Sequence, residues 1–252
     1  MQYNVTRTIV EISREELAAI FRWVQDHRDG SRRQVTVLIG GWAVYCYNPW
    51  YGSVDIDIIT NSKTRQHLMK FLRDERGFVL ERHPVIRNTV VKNSPDGSII
   101  IDFGSREDTC RFEGRSEICP FSLVDNQTEV RTIETRGNVV EVIIPTRALL
   151  VLYKLKAAWD RSQRLRTGTS PDAEWETGKL KKDRADILAL LDPASGGSDI
   201  DVYYLGSQLS EYPFLIDVLR WTADDSDAIA MYRRLSTAQA REVVGRIISL
   251  VS

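Results

Sequence analysis

Length, composition and charge exclude several classes of protein. The 252 residues are enough for one large domain or two small ones, and 42% of them are hydrophobic. Because 34 basic and 35 acidic residues nearly cancel, the chain lacks the excess positive charge of a protein that coats a polyanion. This balance does not exclude a local basic groove. No apolar run approaches the ~20 residues that a membrane span needs.

The cysteines bear on metal binding and on location. Cys46, Cys110 and Cys119 form no C-x-x-C pair, which argues against structural zinc and favours a reducing cytoplasm. Cys110 and Cys119 could form a disulfide, but an odd number of cysteines favours free thiols. We therefore predict a cytoplasmic protein with three free thiols and no membrane partner.

Hydrophobic periodicity predicts alternating helices and strands over the first part of the chain. Ser13 and Glu16 form a capping box at the start of the first helix. Gly40-Gly41 ends the first strand, and the second strand alternates apolar and acidic residues. The predicted elements are a helix at 14–28, a strand at 35–39, a short helix at 42–47, a strand at 54–59 and a helix at 63–75.

From 77 to 144 the pattern is mostly β, and after Pro145 it becomes helical. Turn sequences at 94–97 and at 136–137 each join two predicted strands into a hairpin. The later elements are helices at 146–161, 182–192, 200–222, 224–234 and 237–251, with a long polar loop at 162–180 and a Ser236–Gln239 capping box. We therefore predict an α+β domain over 1–145 and a helical domain over 146–252.

The strongest chemical signal is a set of acids that includes Asp55-x-Asp57 on a predicted strand. Alternate strand residues point to the same side, so both carboxylates face one site. Adjacent carboxylates repel each other unless a cation lies between them, and Mg²⁺ prefers a few carboxylates together with substrate phosphates. Asp102 emerges from the apolar run 99–101, and a metal shared with the other two acids would relieve the cost of that charge.

Gly40 and Gly41 precede this strand and indicate a phosphate site. Paired glycines let the backbone approach a triphosphate and present N–H groups to it, and the Ser53 hydroxyl could donate to a phosphate. Each feature has an ordinary alternative: a glycine pair often forms a turn, a D-x-D is often the solvated face of an edge strand, and Asp102 could cap a strand. Their order along one chain favours a functional site.

This order of motifs, over about 35–104, resembles the DNA polymerase β-like nucleotidyltransferase superfamily. The resemblance implies a small mixed sheet with flanking helices, and transfer of a nucleoside monophosphate from an NTP to a hydroxyl with release of pyrophosphate. It also implies two Mg²⁺ ions and two-metal chemistry. The implied site comprises Gly40, Gly41 and Ser53 at the triphosphate, Asp55 and Asp57 at both ions, and Asp102 at the ion beside the acceptor hydroxyl, where it would help to deprotonate that hydroxyl.

The helical half resembles the AbiEii-type, MenT-like nucleotidyltransferase toxins. The matching residues are Lys154-Leu155-x-Ala157, then Asp160-Arg161, then Lys182-Asp183-x-x-Asp186. The resemblance implies that Lys154 and Lys182 face the triphosphate and that Asp183 or Asp186 organises the site. The chain departs from the pattern in two ways: a glycine pair stands where the family has Ser or Gly-Ser, and the predicted loop lengthens the spacing before Lys182. The ordinary alternatives are a solvated helix lysine and a charged helix start.

The toxin-like half favours RNA as the acceptor, with the 3′ end of tRNA as the expected site, and it implies a cognate antitoxin. Arg161, Arg164 and Arg166 with Trp159 and Trp175 would line a nucleic-acid path, or else form a solvated loop with the Trp rings packed inward. Two alternatives stay open: a transferase that modifies an aminoglycoside or lincosamide antibiotic, and a non-catalytic nucleotide-binding module. A basic cleft would favour RNA and an acidic cleft an aminoglycoside.

Overall fold

The computed structural model of the chain describes residues 6–27, 36–80, 88–135 and 137–251. The helices are α1 (Arg7–Asp26), α2 (Gly40–Tyr47), α3 (Ser62–Arg76), α4 (Arg147–Thr167), α5 (Ala173–Leu191), α6 (Val202–Glu211), α7 (Leu215–Asp224), α8 (Ser226–Tyr232) and α9 (Thr237–Val251). The strands are β1 (Val37–Ile39), β2 (Asp55–Thr60), β3 (Val79–Leu80), β4 (Thr89–Ser94), β5 (Gly97–Ser105), β6 (Thr109–Arg111), β7 (Ile118–Pro120), β8 (Thr128–Thr135) and β9 (Asn138–Pro145). None of the helices within these ranges combines the length and apolarity that a bilayer crossing requires.

A mixed sheet with the strand order β1-β2-β5-β4-β3 forms the centre of the first part of the chain. β2 and β5 run parallel, and the other neighbours run antiparallel. The two predicted hairpins are β4–β5 and β8–β9; in the second turn Arg136 lies outside the described residues. With its flanking helices and the helical part after Pro145, the structure confirms the predicted α+β fold with a mixed sheet.

The first helix begins earlier than predicted. α1 starts at Arg7, where the hydroxyl of Thr6 accepts a hydrogen bond from the Ile9 backbone at 3.3 Å. Ser13 is therefore not a cap: it is buried inside the helix and donates to the Val54 carbonyl at 3.2 Å. The predicted capping box was wrong because Ser13 serves a long-range contact that local spacing does not reveal.

The polar stretch at 162–180 is not a loop. α4 continues to Thr167 and ends at Gly168, which has the left-handed φ of 69° that favours glycine at a helix end. α5 then begins at Ala173, because the Asp172 carboxylate caps it by accepting from the Trp175 backbone at 2.9 Å. Polar composition led to the loop prediction, whereas these end signals leave only a short connection between two helices.

Three other boundaries refine the predictions. Gly40 and Gly41 form the first turn of α2 instead of a separate break, and residue 35 of the predicted first strand lies outside the described residues. The helix predicted at 200–222 is two helices, α6 and α7, separated near Pro213, whose ring removes a backbone donor. The capping box of α9 is confirmed: Ser236 and Gln239 exchange hydrogen bonds at 2.9 and 3.3 Å.

The buried apolar side chains of both parts form one continuous cluster. α4 packs against α2 and α5, and its Leu149, Leu152 and Leu155 are fully buried. The helical part is thereby placed against the glycine turn at the start of α2. The domain boundary at 145 stays a prediction.

Candidate active site

Three carboxylates lie together on neighbouring parallel strands. Asp55 and Asp57 occupy alternate positions of β2, and Asp57 pairs in register with Asp102 of β5. Equivalent positions of adjacent strands point to the same face, and all three side chains line one cavity of about 410 Å³. The parallel β2–β5 pairing is therefore what brings distant acids into one place.

The electrostatics of Asp57 reflect this crowding. Burial, the largest cause, and the negative charges of Asp102 and Asp55 together raise the pKa of Asp57 to about 7, against an opposing effect of Lys179 and Lys154. The Thr89 hydroxyl donates a hydrogen bond to Asp102 Oδ1. The three carboxylates thus form a site at which a cation would be stabilised.

The glycine pair is in direct contact with this site. Gly40 has a left-handed φ of 69°, and a Cβ added there would lie 2.7 Å from Cγ of Asp57. A Cβ added at Gly41 would lie 2.9 Å from Lys182 Nζ and 3.0 Å from Ser53 Oγ. Glycine is required at 40 by both backbone conformation and space, so the first turn of α2 comes close to the carboxylates.

A network of buried charges forms the opposite wall. Lys154 Nζ on α4 lies 2.8 Å from Asp183 Oδ1 and 2.8 Å from Asp186 Oδ2, both on α5. Lys182 Nζ lies 2.9 Å from the same oxygen of Asp186, and the other Asp186 oxygen is buried without a hydrogen-bond partner among the described residues. The two helices are thus joined by ion pairs immediately behind the cavity.

The pKa values of these groups follow from their neighbours. Burial disfavours the charged form of Lys154, but Asp183 and Asp186 outweigh it and raise the pKa of Lys154. Burial also opposes ionisation of Asp183, yet Lys154 and Arg161 hold its pKa below the ordinary value. Burial lowers the pKa of Lys182, and the charge of Lys154 adds to that effect. Asp186 opposes this lowering, and an additional anion beside Lys182 would likewise favour its charged form.

Lys179 was missed by the sequence reasoning. It lies on α5, and its ammonium group forms an ion pair with Asp55 across the cavity. Trp175, one turn earlier, lies with its ring centroid 5.3 Å from the Lys179 ammonium. Reading Asp172 as a helix cap would have placed Lys179 on the same face as Lys182 and Asp183, since residues three or four apart are neighbours on a helix.

The arginines that the sequence offered as one side of a nucleic-acid path are already paired with other side chains. Arg161 donates to Asp183 at 2.9 Å and to Glu176 at 2.8 Å. Arg164 donates to the same Glu176 carboxylate at 2.7 Å, and Arg166 binds the Gln163 side chain. Trp159 is buried against Phe214. These pairings and the buried Trp159 argue against an open RNA path along the arginines, and the residues are helical instead of forming a solvated loop. Trp175 is not packed inward but lines the cavity.

The structure brings most of the predicted residues to one cavity and leaves one behind it. The cavity is lined by Gly40, Gly41, Ser53, Asp55, Asp57, Asp102, Lys154, Lys182 and Asp183, together with Thr89, Arg161, Trp175 and Lys179. Asp186 is fully buried and contacts Lys154 and Lys182 from behind. Its position suits a residue that orients the lysines more than one that contacts a substrate.

The donor set fits Mg²⁺ chemically, because three carboxylates supply only oxygen ligands. In the described parts of the chain, however, no group of three or more His, Cys, Asp or Glu side chains is placed to hold a metal ion. Lys179 neutralises Asp55 instead. Ligation by all three acids therefore requires a side-chain movement that releases Asp55 from Lys179.

Comparison with known proteins identifies no family for this chain. No protein-family model matches the chain, and no curated protein matches it. Among solved structures, the chain is similar to the antibiotic-resistance factor ANT(2″)-Ia, with 12% sequence identity and a TM-score of 0.41 over 81% of this chain and 96% of that chain. A likeness at this level carries no argument about activity or substrate, so function has to be argued from the site.

Proposed function

We propose that the chain transfers a nucleoside monophosphate from an NTP to an acceptor hydroxyl in a Mg²⁺-dependent reaction. A bond forms between the acceptor oxygen and the α-phosphorus, the bond from that phosphorus to the bridging oxygen breaks, and pyrophosphate leaves. The observation that supports this most is the convergence of Asp55, Asp57 and Asp102 in one cavity, with Gly40 against Asp57 and lysines on the opposite wall.

The carboxylates would hold the metal. Asp55 and Asp57 would bind two Mg²⁺ ions and Asp102 one of them, as the sequence resemblance implies. When bound, Mg²⁺ neutralises charge on the attacking and leaving oxygens. Asp102 is assigned to receive the proton of the acceptor hydroxyl, and its hydrogen bond from Thr89 fixes the orientation of the carboxylate.

The triphosphate would lie between the glycine turn and α5. Gly40 and Gly41 leave room for phosphate oxygens next to the backbone, and the Ser53 hydroxyl is available as a donor beside Gly41. Lys182, whose pKa burial lowers, would regain a favourable charge partner in the phosphates. Lys154 would contribute positive charge in an orientation fixed by its ion pairs with Asp183 and Asp186.

The charge of the cavity does not select the acceptor. Four acids balance four bases among its lining residues: Asp55, Asp57, Asp102 and Asp183 against Lys154, Arg161, Lys179 and Lys182. RNA as the acceptor, with the tRNA 3′ end as its site, follows from the sequence resemblance, as do a toxin role and a cognate antitoxin. The proposed cytoplasmic location follows from the cysteine pattern. Growth arrest on expression, relieved by a neighbouring reading frame, would support the toxin role.

The test is a transfer assay with each α-labelled NTP, Mg²⁺ and total RNA, with an aminoglycoside and a lincosamide in parallel reactions. Asp55→Asn and Asp57→Asn remove one charge each with little change of volume, and we expect both to abolish the transfer of label to RNA. Asp74→Asn is the matched control, since Asp74 is exposed on α3.

The outcomes separate the candidate functions. Label on RNA that disappears in both site variants and persists in Asp74→Asn supports the proposal. Label only on an aminoglycoside or lincosamide would keep nucleotidyl transfer and reject RNA. NTP binding without transfer to any acceptor would reject the enzyme in favour of a nucleotide-binding module.

A further inference from the structure

A second cavity of about 410 Å³ lies next to the candidate active site, between α1 and the 48–54 segment that joins α2 to β2. Gly52 lines this cavity, and the next residue, Ser53, lines the first one. Tyr51 borders the second cavity, and its ring centroid lies 5.8 Å from the Lys182 ammonium. A Cβ added at Gly52 would overlap Val10 of α1, so close packing fixes the two cavities relative to each other.

Aromatic side chains form one side of the second cavity. The rings of Trp50 and Tyr51 lie 5.1 Å apart and are both half-buried, and Tyr45 of α2 lines the cavity beside them. The indole N–H of Trp50 is buried and has no acceptor among the described residues. Such a surface can accommodate a planar ring with polar edges. A nucleobase is a ring of this kind, and the face of every nucleobase stacks on aromatic side chains.

Arg14 supplies charge on the other side. It is half-buried in the cavity wall, yet it forms no ion pair or hydrogen bond with any residue in the described ranges. Arg7 and Glu11, which also line the cavity, pair with each other at 3.1 Å. Arg14 thus leaves the cavity with a positive charge that an anionic group would balance.

We propose that this cavity binds one nucleotide of a single-stranded RNA acceptor, next to the nucleotide that reacts. The base would stack on Trp50 and Tyr51, and its phosphate would bind Arg14. The inference rests on the proposed function for its connection to catalysis, and it specifies the acceptor. A polycationic aminosugar would be repelled by Arg14, whereas an RNA strand brings both the flat ring and the phosphate.

The test is the binding of a fluorescently labelled five-nucleotide RNA to the full chain without NTP or Mg²⁺, followed by anisotropy at several salt concentrations. Arg14→Glu should weaken binding about tenfold or more and lower the slope of log K against log salt by about 0.7, the contribution of one phosphate contact on a single strand. Arg22→Glu is the matched control, because Arg22 is exposed on the same helix, outside the cavity. Trp50→Leu should weaken binding about tenfold, and Trp50→Phe less, because loss of one stacked base is of that order.

Thermal unfolding of each variant establishes that it is folded, and Arg14, which has no hydrogen-bond or ion-pair partner within the described ranges, provides the cleaner test. Equal RNA affinity for Arg14→Glu and Arg22→Glu would overturn the proposal. AMP that binds as tightly as the RNA, with the same dependence on Arg14, would overturn it in favour of a mononucleotide site. Arg14-dependent RNA binding by a protein that transfers no label would support RNA binding in this cavity while rejecting the proposed reaction. Failure of the RNA site and failure of the proposed function are therefore distinguishable.

Discussion

Gly40→Ala tests the contact between the glycine turn and the carboxylates. The added Cβ would lie 2.7 Å from Cγ of Asp57, whereas ordinary van der Waals contact begins at 3.4 Å. Because Oδ2 of Asp57 lies closer still to the added Cβ, the carboxylate must move by more than 0.7 Å or rotate away from the cavity. The new residue also has to adopt the left-handed φ of 69°.

Two effects of different size follow. The left-handed conformation costs about 1–2 kcal/mol for a residue with a Cβ, and for a chain of this size each kcal/mol lowers Tm by about 2–4 °C. We therefore expect a fall in Tm of about 2–8 °C from the backbone alone. Displacement of a catalytic group by ~1 Å can lower the rate on the order of 100-fold, so nucleotidyl transfer should fall by about that factor.

Gly77→Ala separates these effects. Gly77 ends α3 with a φ of 73°, and a Cβ added there meets nothing within 4 Å among the described residues. It should lose similar stability and keep its transfer rate. The measurements are thermal unfolding and the transfer assay on purified wild-type and variant proteins. A Gly40→Ala variant with the wild-type rate would refute the reasoning, and equal loss of rate in Gly77→Ala would assign the effect to general destabilisation.

Three further predictions concern buried charge and a buried thiol. Asp183→Asn removes the carboxylate that two buried cations share and should lower the free energy of unfolding at pH 7 by about 3–5 kcal/mol. The pKa of Asp183 is lowered in the fold, so its stabilising contribution is present above the unfolded pKa of about 3.9. Urea unfolding should therefore show that the difference in free energy of unfolding between variant and wild type shrinks as the pH falls below that pKa. Lys179→Met leaves Asp55 without its cation, so Mg²⁺ should raise Tm more in the variant than in the wild type, and an equal rise would show that lysine and metal do not compete. Burial raises the pKa of the buried Cys119 to about 12. At pH 8 a thiol reagent should therefore modify Cys119 at least on the order of a thousandfold slower in the native than in the denatured protein, and rapid labelling of this thiol would contradict its burial.

The strands and hairpins could be predicted because their signals are local. Alternation, β-branched runs and turn sequences at 94–97 and 136–137 indicate strand pairs without knowledge of distant contacts. The start of α1 could not be predicted in this way, because Ser13 hydrogen-bonds to Val54, 41 residues away. The incorrect loop at 162–180 has a different origin: its polar composition is typical of a loop, whereas Gly168 ends α4 and Asp172 caps the start of α5.

The residues of the candidate site also differ in whether local sequence signals could predict their positions. Strand periodicity alone places Asp55 and Asp57 on one face. Asp102 joins them through the parallel β2–β5 pairing, which the family resemblance could suggest but the spacing of the residues in the sequence could not. Lys179 required the correct start of α5. Asp186 was placed on the correct helix, yet its distance from the cavity depends on how α5 packs against α4, and no local pattern encodes that packing.

The balanced charges of the cavity constrain how it can work. Lys179 holds Asp55, and Asp183 and Asp186 hold Lys154, so the carboxylates and the lysines compensate each other before any substrate binds. In the proposed reaction, a triphosphate that arrives alone would gain Lys179 only by displacing Asp55, and Mg²⁺ that arrives alone would have to displace Lys179. Simultaneous binding of both would release Lys179 from Asp55 as phosphate oxygens become available to the lysine, so each ligand would lower the cost of binding the other. The proposed function, taken with these internal ion pairs, therefore predicts cooperative binding of NTP and Mg²⁺.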